Sequence, residues 1–273
     1  MYKNAKRSFF NLSTIFVGLF VLTSQSAFAA SSEELAKKLA NPVASMISVP
    51  FQYNYDADIG PKDDGDRSVL NIQPVVPFSL DDKWNIISRT ILPVVSQSDI
   101  FPGAGSQSGV GDIVESVFFS PKQPTSDGWI WGAGPVLLIP TGSDDLLTAD
   151  KWGVGPTAVA LKQDGPWTYG ALGNHIWSVA GKDSRGDISA TFLQPFATYT
   201  TKEAVSYTLN LESTYDWKAS EWAIPLNGVV SKVLKIGDHL VSVGGGLRYW
   251  MHSTDGGPEG LGVRIVFTVL FPK

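Results

Sequence analysis

The stretch that decides the fold reads VSYTLNLESTYDW and runs from Val205 to Trp217. Its apolar and polar residues alternate, and Ser213 is the one position out of step. An alternation with a period of two places the two sets of side chains on opposite faces of a β-strand. In a soluble sandwich the apolar face packs inward, whereas in an outer-membrane barrel it faces lipid and the polar face lines the lumen. The rest of the chain is needed to choose between these two folds.

Strand-like segments continue along the chain from Val43 onward. After a first strand that begins at Val43, the candidates cover residues 67–78, 84–95, 109–120, 129–140, 152–163, 167–178, 188–200, 205–216, 222–234, 240–250 and 261–271. These segments are about 11–13 residues long, whereas globular strands average about 5–6 residues and tilted membrane strands need about 9–11. The lengths favour an all-β fold, an antiparallel transmembrane β-barrel of about 12 strands with a short N-terminal helix. A soluble sandwich or a lipocalin-like barrel is the alternative.

The connections between these strands form two alternating sets. The longer and more acidic set comprises residues 57–66, 96–108, 141–151, 179–187, 217–221 and 251–260, and the other set comprises residues 79–83, 121–128, 164–166, 201–204 and 235–239. Outer-membrane barrels alternate long external loops with short periplasmic turns, so we expect the first set to be external. Tryptophans near the strand ends suit aromatic girdles, although core anchors of a soluble fold give the same pattern. These tryptophans are Trp129, Trp131, Trp152, Trp167, Trp177, Trp217, Trp222 and Trp250.

The N-terminus has the features of a cleaved secretory signal. Lys3, Lys6 and Arg7 precede an apolar run, and an A-x-A site follows at residues 27–29. The apolar run is shorter than the about 20 residues of a spanning helix. We therefore predict a signal peptide over residues 1–29 and export to the outer membrane of a Gram-negative bacterium.

Residues 30–42 are predicted to form an N-terminal helix and lead-in to the barrel, which then covers residues 43–273. Ser32 is placed to cap a helix over residues 31–41, and Pro42 stops it. The helix is short, so its order depends on docking. Since it is tethered to the first strand, we expect it at the periplasmic mouth or inside the lumen.

Composition excludes several kinds of chemistry. The chain of 273 residues has no cysteine, which removes disulfides, thiol catalysis and thiolate metal sites. Its net charge of −5 argues against nucleic acid as a partner. After residue 30 no run of about 18 apolar residues appears, which argues against membrane-spanning helices. No cofactor is predicted.

Polar residues on the inward face of the predicted strands are the candidate lumen lining. They are Gln52, Asn54, Asp56, Arg67, Asn71, Gln73, Arg89, Glu115, Asn210, Glu212, Asp216, Arg248 and Arg264. Charges of both signs inside a narrow barrel are expected to pair, because an unpaired charge carries a large desolvation cost. Two interpretations remain open at this stage. One is a polar constriction that sorts solutes, and the other is a structural network that stiffens a plugged barrel.

No catalytic or metal site is predicted. The histidines are His175, His239 and His252, and no G-x-S-x-G elbow supplies a serine nucleophile. The acidic loop clusters do not match a calcium-loop pattern, so solvated loop charge is the expected role, with bridging to lipopolysaccharide as the alternative. These clusters are Asp58, Asp63, Asp64 and Asp66, and Asp144, Asp145 and Asp150. The expected partners are outer-membrane lipid and lipopolysaccharide, the barrel-assembly machinery and an unidentified small solute.

Four segments carry a resemblance to a known family. They are LANPVASMISVPFQYNYD at residues 39–56, GVGD at 109–112 with VESVFFSPK at 114–122, WGAGPVLLIPTGSDD at 131–145, and WGVGPTAVALKQDGPWTYGAL at 152–172. Together they resemble the bacterial outer-membrane proteins grouped as the meta-pathway phenol-degradation family. The resemblance implies a β-barrel, a porin-like channel or transporter, and passage of small aromatic or apolar molecules. A non-conducting structural or surface-interaction barrel is the alternative.

The C-terminus departs from the usual ending of such barrels. Leu261, Val263, Ile265, Phe267, Val269 and Phe271 alternate as an assembly signal does, but Pro272 and Lys273 follow the last aromatic residue. Assembly signals of this class usually finish on the aromatic residue itself.

Overall fold

The computed structural model describes residues 25–237 and 239–271, which form one α-helix and twelve strands. The helix is α1 (Gln25–Leu39). The strands are β1 (Ile47–Ile59), β2 (Gly65–Ile72 and Val75–Ser79), β3 (Trp84–Ser98), β4 (Ser106–Val110 and Ile113–Pro121), β5 (Trp129–Ile139), β6 (Lys151–Asp164), β7 (Trp167–Gly181), β8 (Ser189–Thr200), β9 (Val205–Leu211 and Ser213–Asp216), β10 (Glu221–Ile236), β11 (His239–His252) and β12 (Leu261–Phe271).

The strands close into one antiparallel barrel. Each strand pairs with its neighbours in sequence, and β1 pairs with β12 from Ile47 opposite Phe271 to Tyr55 opposite Val263. Closure leaves no free sheet edge among the described strands, so their backbone groups find partners without water. The predicted twelve-stranded all-β barrel is confirmed.

Three strands are interrupted at polar or proline positions. The breaks fall at Gln73 and Pro74 in β2, between the two parts of β4, and at Glu212 in β9. Proline has no N–H to donate to the ladder, which explains the break at Pro74 and a register shift at Pro225. Pairing runs unbroken through Pro195, which lies opposite Ala171.

The apolar face of the stretch at residues 205–217 is outside. Tyr207 and Leu209 are 52% and 54% exposed, whereas the hydroxyl of Thr208 lies 3.0 Å from that of Thr198 on the opposite face. A soluble barrel would not leave such a set of large apolar side chains around its circumference in water. The polar set therefore lines the lumen, and the outer surface faces lipid.

Exposed tryptophans ring both ends of the barrel. Trp129 and Trp167 lie near one end, and Trp152, Trp177 and Trp222 lie near the other. Such girdles mark the two membrane interfaces of a transmembrane barrel. The prediction that Trp250 belongs to an aromatic girdle is wrong, because its side chain points inward and lines a cavity of the lumen.

The two ends of the barrel differ in their connections. One end carries residues 80–83, 122–128, 165–166 and 201–204 and the turn between β10 and β11, and the other carries residues 60–64, 99–105, 140–150, 182–188, 217–220 and 253–260. We call these the short-turn end and the long-loop end. Several loops are shorter than the sequence suggested, because the strand ladders extend further into them.

Helix α1 docks in the short-turn end. Leu35 and Ala36 pack against Met46, Val233 and Leu270 on the inner wall. The helix begins at Gln25, ahead of the predicted cleavage point, and the Ser32 hydroxyl has no hydrogen-bond partner among the described residues, so Ser32 does not act as its cap. The stretch before Ser32 is rich in alanine, which favours helix and extends α1 toward the N-terminus. No helix within the described residues has the length and apolar character to cross a membrane.

Candidate functional site in the barrel lumen

An ion-pair network crosses the lumen toward the long-loop end. Arg264 donates from Nη1 and Nη2 to the two carboxylate oxygens of Glu212, at 2.8 and 2.8 Å, and from Nε to Asn54 Oδ1 at 2.7 Å. Arg264 is only 2% exposed. This two-pronged geometry is the strongest form of an arginine–carboxylate pair.

Arg248 and Asp56 extend the network. Arg248 Nη1 lies 3.4 Å from Glu212 Oε2, and Arg248 Nε lies 3.2 Å from Asp56 Oδ1. The indole N–H of Trp250 donates to Asp56 Oδ1 at 2.8 Å, and the Arg248 guanidinium lies 4.7 Å from the centre of the Trp250 ring. The network therefore joins β1, β9, β11 and β12, and each buried charge in it has a partner of opposite sign.

Two further arginines have amide partners instead. Arg67 donates from Nε to Gln97 Oε1 at 2.9 Å, and Arg89 donates from Nη2 to Gln73 Oε1 at 3.1 Å. Among the described residues, no carboxylate lies within 4.0 Å of either guanidinium. The lumen thus carries positive charge that the network leaves unneutralised.

Three cavities follow one another along the barrel axis. An outer cavity of about 380 Å³ at the long-loop end shares Asn71 and Glu212 with a middle cavity of about 310 Å³. The middle cavity in turn shares Gln52, Gln73, Arg89 and Gln194 with an inner cavity of about 270 Å³. The shared residues stand where one cavity gives way to the next. They are candidate constrictions between neighbouring cavities.

The middle cavity has both apolar and polar walls. Its apolar lining includes Ile91, Val114, Ile176 and Phe192. Its polar lining comprises Gln52, Asn71, Gln73, Arg89, Ser116, Asn174, Gln194, Glu212 and Thr214. A mixed lining of this kind suits a solute that has an apolar body and a polar group.

The N-terminal segment occupies the inner end of the path. Lys38, Leu39 and Pro42 line the inner cavity together with barrel residues, and Gln163 donates to the backbone carbonyl of Lys37 at 2.8 Å. Val43 enters a buried apolar cluster on the inner wall, formed with Ile87, Phe118, Val159, Leu161 and Leu172. A plug built from α1 and its lead-in therefore narrows the short-turn end.

The loop at residues 140–150 is tied down at the opposite end. Asp112, at the break in β4, accepts hydrogen bonds from Gly142 N at 3.0 Å, Thr148 Oγ1 at 2.7 Å and Ala149 N at 2.7 Å. The amide of Gln97 donates to the carbonyl of Leu146 at 3.5 Å. Sequence reasoning missed Asp112 and Gln97, and the glycine before Asp112 was the signal of a break.

A salt-bridge cluster holds the same loop from its other side. Asp150 Oδ2 lies 2.9 Å from Lys182 Nζ and 3.1 Å from Arg185 Nε. The hydrogen bond from Lys182, followed by the charges of Lys182 and Arg185, holds the pKa of Asp150 below its ordinary value. The same contact raises the pKa of Lys182. This cluster, which we call the loop lock, joins residues 140–150 to residues 182–188.

Most of the predicted lumen residues line the three cavities. These are Gln52, Asn54, Asp56, Arg67, Asn71, Gln73, Arg89, Asn210, Glu212, Arg248 and Arg264. Asp216 does not, because its carboxylate accepts hydrogen bonds from the backbone N–H groups of Lys218 and Ala219, at 2.7 and 3.2 Å, and so caps a loop.

The prediction that Glu115 lines the lumen is wrong, because its side chain lies on the outer face of the barrel. Its strand neighbours Val114 and Ser116 line the middle cavity, so alternation turns Glu115 outward. Its carboxylate accepts hydrogen bonds from Ser88, at 2.6 Å, and from Thr90. These two hydroxyls supply the hydrogen bonds that such a carboxylate needs away from water.

The histidines lie outside the lumen cavities. His175 is on the outer face, with Nδ1 2.7 Å from Thr191 Oγ1 and Nε2 3.4 Å from Ser189 Oγ. His239 and His252 are exposed. Within the described residues, no group of three or more histidine, aspartate or glutamate side chains is arranged to hold a metal ion.

A closed twelve-stranded barrel with a lipid-facing wall and a polar, cavity-containing lumen defines an outer-membrane β-barrel of porin-like fold. The chain belongs to the family described as "Putative MetA-pathway of phenol degradation", whose model matches residues 68–252. A comparison with curated proteins found no match.

Solved structures show the same fold. An outer-membrane channel from Pseudomonas putida F1 has a TM-score of 0.68 at 17% identity, covering 83% of this chain and 96% of that one. The porin NanC has a TM-score of 0.51 at 11% identity, covering 83% of this chain and 100% of its own. Both likenesses concern the fold, which is that of outer-membrane barrels.

Proposed function

We propose that the protein is a passive outer-membrane channel for small solutes. The observation that carries this proposal is the succession of three cavities that share lining residues from the long-loop end to the plug. The long-loop end is external and the short-turn end periplasmic, as in outer-membrane barrels generally. The signal peptide over residues 1–29, most of which lies outside the described residues, directs export and is removed.

The path favours anions. Its charged lining comprises Lys38, Arg67, Arg89, Arg248 and Arg264 against Asp56 and Glu212. Five cations against two carboxylates attract anions and repel cations in a narrow, partly desolvated passage. The apolar wall of the middle cavity admits aromatic or aliphatic groups, in keeping with the family to which the chain belongs. No catalytic step is part of the proposal.

A non-conducting barrel is the second candidate. It is favoured by the cluster around Val43, which fills part of the lumen, and by the network around Glu212. In that case the network and the plug serve stability, and the loops interact with lipopolysaccharide or other surface partners.

Single-channel recording in planar bilayers decides between the two. We expect the refolded chain to conduct, and a salt gradient to give a reversal potential of the sign for anion preference. Cation preference would contradict the proposed selectivity. Absence of conductance, both in the complete chain and after removal of the plug, would favour the structural alternative.

A further inference from the structure

We propose that the middle cavity is a binding site for small carboxylates with an apolar body, in which Arg89 binds the carboxylate. This inference rests on the proposed function, because it concerns a solute that enters the lumen. It adds a specific ligand class and a specific anchoring residue.

Among the described residues, Arg89 is the one arginine that lines the middle cavity, and no carboxylate lies within 4.0 Å of its guanidinium. Its Nη2 donates to the amide oxygen of Gln73 at 3.1 Å. By contrast, Glu212 already receives Arg264 through two contacts and Arg248 through one. A guanidinium presents five N–H donors in a planar fork, which matches a carboxylate. Arg89 therefore retains donors for a ligand, whereas the network arginines are committed to Glu212.

The apolar wall lies beside this cation. Ile91 is two residues beyond Arg89 on β3 and faces the same cavity, which places the two about 6–7 Å apart along the strand. Val114 lies directly opposite Ile91 on β4. A carboxylate bound to Arg89 thus brings its apolar body against Ile91 and Val114, with Ile176 and Phe192 completing the wall.

The size and charge of the cavity restrict the ligand class. Its volume of about 310 Å³ is at the lower end of the range of about 300–1,000 Å³ for small-molecule sites. Among the described residues that line it, Arg89 is the one cation, and Glu212 in the same lining disfavours a second negative charge. A monoanion fits this balance better than a phosphate dianion. A neutral amide can still accept a hydrogen bond from Arg89 through its carbonyl oxygen, but it forgoes the two-pronged ion pair that a carboxylate forms.

Benzoate, benzamide and benzamidinium form a matched set of probes, since they share a ring and differ in charge. Binding of each to the complete refolded chain in detergent micelles is measured by isothermal titration calorimetry. We expect benzoate to bind at least about tenfold more tightly than benzamide, because its two anionic oxygens form a two-pronged ion pair with Arg89 whereas benzamide offers one neutral acceptor oxygen. We expect benzamidinium to bind more weakly than either.

Variants locate the site. Arg89→Gln is expected to remove the preference for benzoate over benzamide, and Arg89→Lys to keep part of it. Arg67→Gln is the matched control, because it removes an arginine with a similar amide partner from the outer cavity. Since Arg67 does not touch a ligand in the middle cavity, we expect the affinity for benzoate to change by no more than about twofold. Each variant is checked for folding by electrophoresis, because a folded barrel changes its electrophoretic mobility when the sample is heated beforehand.

The outcomes separate this inference from the proposed function. Equal binding of the three probes to the unmodified chain, or an unchanged preference in folded Arg89→Gln, would overturn the carboxylate site. Conductance with anion preference in the same preparations would leave the channel function standing. Benzoate binding that depends on Arg89, in a barrel without conductance, would uphold the site and overturn the channel instead.

Discussion

Arg264 and Glu212 join two strands across the lumen through paired contacts of 2.8 Å between guanidinium nitrogens and carboxylate oxygens. They lie on or beside strands β12 and β9, which are not neighbours in the sheet. The pair therefore holds the barrel wall together from within, and Glu212 also lines the middle cavity.

Glu212→Gln is expected to lower the free energy of unfolding by about 3–5 kcal/mol, because it leaves the buried guanidiniums of Arg264 and Arg248 without their shared carboxylate. Urea unfolding in lipid vesicles, followed by tryptophan fluorescence, measures the change. Glu203→Gln, in a short turn, is the control and is expected to change stability little. Equal stability of both variants would show that the network contributes no net stabilisation.

Leu209→Arg is expected to impair assembly into membranes, since a cation at mid-bilayer on the outer face of a barrel costs about 2–4 kcal/mol. Thr208→Arg, one residue earlier on the lumen side, is the matched control and is expected to be better tolerated. Refolding yield into lipid vesicles is the measurement. The reverse ranking would contradict the assignment of the two faces.

Deletion of residues 31–40 is expected to raise single-channel conductance several-fold, because it removes Leu35, Ala36 and Lys38 from the short-turn mouth. The barrel is expected to remain folded, since its strand ladders do not include these residues. Lys38→Gln is the control that changes a charge of the plug and keeps its volume. Unchanged conductance in a folded deletion variant would show that the plug does not limit flux.

The loop lock is expected to release in acid. The pKa of Asp150 is lowered in the folded protein, so its contribution is present above the ordinary pKa of aspartate, about 3.9, and is lost as the pH falls through the lower folded value. The pKa of Lys182 is raised, so its contribution is present below about 10.4 and is lost as the pH rises through the higher folded value.

A spin label at Leu146→Cys, in a chain that has no other cysteine, reports the release. We expect its mobility to increase at both extremes of pH and to stay low between them. Asp150→Asn is expected to raise the mobility of the label at neutral pH above that of the unmodified loop, although the hydrogen bonds to Asp112 remain. Asp127→Asn in a short turn serves as the control. If the mobility of the label in the otherwise unmodified loop did not change with pH, the loop lock would not hold the loop in place.

The lipid-facing and lumen-facing sets could be predicted from the sequence because strand geometry is local. Side chains alternate between two faces whatever the rest of the chain does, so Leu209 and Asn210 are assigned by their positions alone. Strand number and length then followed from repetition of the pattern. The same reasoning failed at Glu115, because a carboxylate on the outer face is tolerated only through Ser88 and Thr90, which belong to another strand.

The sequence by itself determined a twelve-stranded barrel with a polar interior. Only the tertiary structure decided which charges inside that interior are paired. Glu212 contacts Arg264 and Arg248 because ring closure brings β9, β11 and β12 around one lumen, and nothing in the local pattern encodes that proximity. The same closure leaves Arg89 with an amide partner and an apolar wall beside it, since the position of each lumen side chain depends on strand tilt and stagger around the whole barrel.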